Sequence, residues 1–141
     1  MNATSVGKYF YNKNKNLTEI QIQKLTYYAY VWSMALRDEK IFAEKPQAWV
    51  HGPVFRSLYD SMRKQEFYQS TEENIEYQNK IFFDMIYNLY GKYSGNQLEN
   101  MTHTEAPWIV ARKDLKPNER SNEELNDDLI KCYYKSLVNQ T

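Results

Sequence analysis

The sequence is short of almost everything that announces chemistry. Its one cysteine, Cys132, excludes an internal disulfide and suits a reducing compartment. Its four glycines, at positions 7, 52, 91 and 95, are too scattered to cradle a phosphate. No serine sits in a Gly-x-Ser-x-Gly elbow. The two histidines, His51 and His103, are far apart, and there is no His-x-x-x-His, Cys-x-x-Cys or Asp-rich loop. No metal, no cofactor and no catalysis are therefore expected. Net charge is also lacking: 18 Lys and Arg face 18 Asp and Glu, so no global field draws the chain to nucleic acid or to an anionic membrane. A basic start (Lys8, Lys13, Lys15, Lys24) and an acidic late stretch (Glu119, Glu123, Glu124, Asp127, Asp128) read as solvated faces. No apolar run approaches the roughly 20 residues of a membrane span, and the N-terminus has no signal-peptide core. A cytoplasmic protein without a membrane or nucleic-acid partner is expected.

What the chain has is tyrosine, thirteen of them, mostly at helical spacing. Two readings stand: a core finished with tyrosines whose hydroxyls reach the surface, or a tyrosine-rich partner surface. Thr18 with Gln21 is a capping box opening a long helix to about Leu36, amphipathic through Lys24 and then apolar almost all round. Such a helix must be surrounded by others, so it belongs at the centre, with Trp32 in the core. Residues 41–50 break the helical period and suggest a small β-hairpin. Gly52-Pro53 reads as a helix start with Val54, Leu58 and Met62 inward. Ser70-Thr71-Glu72-Glu73 opens a further helix burying Ile75, Phe82, Met85, Ile86 and Leu89. Ser94 with Gln97 repeats the capping box, Thr104 caps a short helix, and Asn126 or Ser121 caps the last one, where Cys132 sits beside the inward stripe. The expectation is a mainly α, single compact domain spanning residues 1–141, with about seven helices.

Two stretches stand apart from the helical stripes: Trp49-Val50-His51-Gly52-Pro53-Val54 and Thr102-His103-Thr104-Glu105-Ala106-Pro107-Trp108. Each places a tryptophan and a histidine on a proline-fixed turn, which can build a rigid surface feature. Each imidazole either ties two segments together or grips a partner. The two tryptophans either bind or pack inward. If they bind, the two turns lie together and Trp49, His51, Arg56, His103 and Trp108 form a partner-binding patch.

These blocks also carry a resemblance. Leu17-Thr18 through Leu25 and Tyr27-Tyr28-Ala29-Tyr30, then Phe42 to Trp49 with His51-Gly52-Pro53-Val54, then Leu98 to Trp108, resemble in order the signature blocks of the SocA-like antitoxin domain, also called the Panacea domain. The likeness runs over about residues 4 to 138. It implies a prophage-associated antitoxin that neutralises a toxin from the same operon by direct protein–protein contact, or by delivering that toxin to a protease. The alternative from the residues alone is a DNA-binding regulator, for which Arg56, Arg63 and Lys64 beside Asp60 give thin support.

Overall fold

The computed structural model describes residues 1–71 and 73–139. Its centre is the helix α2 (Glu19–Arg37), and the reason is local as much as tertiary. Thr18 Oγ1 accepts the Gln21 N–H at 3.2 Å while Gln21 Oε1 accepts the Thr18 N–H at 2.8 Å, so two orphan donors of the first turn are satisfied. From Ile22 to Val31 every residue is buried, because neighbours close on all sides.

Those neighbours are α1 (Ala3–Lys13), the hairpin β1 (Gln47–Trp49) and β2 (Gly52–Val54), α3 (Arg56–Arg63), the short α4 (Glu66–Gln69), α5 (Tyr77–Tyr90), α6 (Gly95–His103), α7 (Ala106–Arg112) and α8 (Asp127–Val138). The protein is thus mainly helical, with eight helices among the described residues. Phe10, Leu25, Leu58, Phe83 and Ile86 are fully buried in the one contiguous core. Each contributes roughly 1.5–3 kcal/mol relative to exposure. Trp32 is only partly buried; its indole N–H donates to Tyr90 Oη at 2.8 Å and its ring meets Tyr134 edge-on at 5.2 Å. Among the described residues no helix is long and apolar enough to cross a membrane.

Several sequence expectations need correction. The hairpin pairs 47–49 with 52–54, leaving 41–46 without strand, and Gly52-Pro53 belongs to β2 rather than to a helix start. A proline fits either role because both accept its fixed φ and missing N–H. Helix α3 starts instead at Arg56, with Leu58 and Met62 inward as expected. Helix α5 begins at Tyr77, not at Ser70-Thr71-Glu72-Glu73, of which Glu72 lies outside the described residues. Phe82 and Ile86 are buried, but Met85 and Leu89 are 39% and 53% exposed. Leu36 is exposed, and Cys132 faces solvent rather than the core. Thr104 closes α6, while Glu105 precedes α7.

Candidate functional site

The first turn is fixed by what lies beneath it. Trp49 pairs with Gly52 across the hairpin, with Val50 and His51 at the tip. Gly52 adopts φ +105°, and a Cβ there would come within 2.7 Å of both Lys24 Cε and Thr102 Oγ1, so only glycine fits. On its other side β1 is held by the chain near α8: Ala48 N–H donates to Glu123 O at 2.8 Å and Leu125 N–H to Pro46 O at 2.9 Å. The Trp49 ring is half-buried, its N–H donating to Gln47 Oε1 at 2.8 Å and its ring lying edge-to-face with Tyr59 at 4.9 Å. The Arg56 guanidinium sits 5.5 Å from that ring, within cation–π range. His51 is 72% exposed, with Nδ1 2.6 Å from Glu99 Oε1.

The second turn touches the first. Trp108 is buried, and its indole N–H donates to Trp49 O at 2.8 Å. His103 stacks on it at 4.1 Å and 15°, and lies beside the Val50 backbone. Burial lowers the His103 pKa, and its Nε2 has no partner among the described residues. Of the five residues singled out in the sequence, Trp49, His51 and Arg56 therefore stand at the surface, whereas Trp108 packs behind them and His103 lies half-buried between.

Two residues with no local signal complete the arrangement. Arg112, almost fully buried, lies 5.2 Å from the Trp108 ring and donates to the carbonyls of Ala48, Lys116 and Glu119 at 3.2, 2.9 and 2.7 Å. It thereby ties the second turn to the first and to the loop after α7. Lys24, read from sequence as part of a solvated face, is buried under Gly52 and donates to Pro53 O at 3.2 Å. Burial pushes its pKa down to about 7, against the pull of the Glu99 charge. Lys8 is likewise buried, donating to Phe67 O at 2.8 Å.

Glu105 is the acidic counterpart. Its Oε1 accepts the Tyr28 and Tyr134 hydroxyls at 3.0 and 2.9 Å, and Tyr27 is hydrogen-bonded to Tyr134 at 3.0 Å. Burial raises its pKa to about 7, outweighing the two hydroxyls that favour the carboxylate. Three of the thirteen tyrosines meet here, in a core whose hydroxyls bond each other and one carboxyl group.

The order Trp49, His51-Gly52-Pro53, then Thr102-His103 and Pro107-Trp108 is thus one connected structure, and a family model for the antitoxin SocA-like Panacea domain matches it over residues 22–109. The chain belongs to that family. The match takes in α2 from Ile22, the hairpin and both turns, and stops just past Trp108, so α1, the loop after α7 and α8 lie outside it. No curated protein and no solved structure matches the chain. Within the Panacea domain, and among the other described residues, no three His, Cys, Asp or Glu side chains converge as a metal site requires.

Proposed function

We propose that this chain is the antitoxin of a toxin–antitoxin pair, acting in the cytoplasm and neutralising the toxin encoded beside it by direct protein–protein contact through the face that carries Trp49, His51 and Arg56. The family supports an antitoxin role. The observation that carries the surface is the division of labour between the turns: Trp108 and Arg112 hold the hairpin from behind, so Trp49 and Arg56 are presented on a rigid support. A pre-organised aromatic–arginine pair is the kind of feature that dominates binding energy once a partner excludes water from it.

Co-expression with the product of the adjacent reading frame tests this, with growth as the readout. The wild-type chain should restore growth. Arg56→Ala and His51→Ala should melt within about 2 °C of wild type, because both side chains are mostly exposed, yet lose rescue. Full rescue by both variants would move the interface elsewhere, first to the outward tyrosines.

A further inference from the structure

The exposed face continues into an open groove of about 770 Å³ between the hairpin and α3 on one side and the loop around Arg120 on the other. Its walls carry His51, Arg56, Arg63 and Arg120 with Trp49 and Tyr59, and among the described residues no carboxylate lines it. In a chain of zero net charge, that is a concentrated cationic site. The two arginines of α3 lie against the aromatic rings, Arg56 at 5.5 Å from Trp49 and Arg63 at 5.0 Å from Tyr59. Their acidic neighbours are loosely placed: Asp60 is 3.5 Å from Arg56 Nε and Glu19 is 3.8 Å from Arg63 Nε. Both side chains stay more than half exposed, at 55% and 60%. Among the described residues, Arg120 forms no ion pair.

We infer that this groove binds an acidic segment of the partner protein, with carboxylates bridging Arg56, Arg63 and Arg120. The inference rests on the antitoxin reading and adds the chemistry of the partner. A guanidinium is a planar fork that matches a carboxylate with two parallel hydrogen bonds, and resting on a ring pre-orients it at reduced entropic cost. Arg56 and Arg63 stand seven residues apart, two turns of α3, which separates them by roughly 10 Å along one helix face. Acidic side chains seven apart on a partner helix match that spacing. Single-stranded nucleic acid is the less suitable occupant. It would need free aromatic faces for its bases, and here both rings already carry a guanidinium.

The test uses the full chain and the purified product of the adjacent reading frame, in calorimetric titrations at about 50 and 500 mM salt. Wild type should bind, and bind more weakly at the higher salt. The double variant Arg63→Glu with Arg120→Glu should melt like wild type and lose about 100-fold or more in affinity, and a Glu→Arg or Asp→Arg change in the partner's acidic segment should recover part of that loss. If the double variant binds as wild type does, the groove is not the site, and the antitoxin reading stands without it. If the wild-type chain neither binds nor neutralises the adjacent product, both fall. A fluorescent 12-nucleotide RNA that binds wild type but not the double variant would assign the groove to phosphates and overturn the inference.

Discussion

The two tryptophan–histidine turns are alike in composition and opposite in placement. In the second, Trp108 is 9% exposed, donates its N–H to the first turn, and packs against both His103 and Arg112. In the first, Trp49 stays half-buried under Arg56 and His51 stands out in solvent. The same residue types therefore serve as internal support in one turn and as external surface in the other. What separates them is the backbone around each. The Trp49 carbonyl gives Trp108 an acceptor in the interior, whereas the Trp49 indole finds its acceptor on Gln47, at the edge of a two-stranded sheet.

The sharpest way to break this comparison is truncation of each indole. Trp108→Ala removes a buried ring, its hydrogen bond and its stacking, and should cost about 3–5 kcal/mol. Trp49→Ala should cost about 1 kcal/mol, as for a part-exposed side chain. Urea denaturation of both variants measures the difference. Equal losses would mean that the first turn is as structural as the second.

Each turn also covers one buried ionisable group, and the two titrate with opposite consequences. Glu105, in the second turn, has its pKa raised from 4.5 to about 7. The native state then keeps that proton while the unfolded chain loses it, so stability is full below about pH 4.5 and falls as pH rises to about 7. Lys24, beneath the first turn, has its pKa lowered from 10.5 to about 7. Here the unfolded chain holds the proton and the native state does not, so stability climbs between about pH 7 and 10.5. At about 1.4 kcal/mol per pH unit of difference, each slope amounts to roughly 3–5 kcal/mol. A stability minimum near neutrality is the expected outcome of denaturation across pH. Glu105→Gln should flatten the acid-side slope alone and Lys24→Met the alkaline-side slope alone. A profile in which either variant flattens both slopes would show the groups acting as one unit.

Local hydrogen-bonding signatures were the legible part of the fold. Thr18 with Gln21 and Ser94 with Gln97 name their helix starts because the capping partners are three residues apart in sequence. The all-round apolar run after Lys24 likewise identifies the central helix. Illegible were the features whose causes lie far along the chain. Gly52-Pro53 suits a helix start and a strand equally, and the choice falls to the strand through Lys24 and Thr102 packed under Gly52. Lys24 shares its polar neighbours with any solvated helix turn, and only the hairpin folding over it makes it buried. The candidate surface was half visible: Trp49, His51 and Arg56 stand close in sequence, but Arg120 reaches the same groove from beyond α7, and Arg112 acts entirely through distant carbonyls.

The smallest expected effect separates the two histidines. His103→Ala removes an imidazole stacked at 4.1 Å on Trp108 and set beside the Val50 backbone, opening space within the support. A loss of about 1–2 kcal/mol is expected, in the range for a part-buried ring that joins two segments. His51→Ala removes an exposed ring whose polar partner is Glu99, and should change stability by less than about 0.5 kcal/mol. The contrast has a second readout. His51 lies nearer the groove than the core, so its removal should act on partner affinity, whereas His103→Ala should affect affinity only as far as it loosens the hairpin. Binding at about 10 °C, where the weakened variant is still fully folded, should therefore be close to wild type for His103→Ala and reduced for His51→Ala. The reverse order would place the working face at the second turn and leave the first as its support.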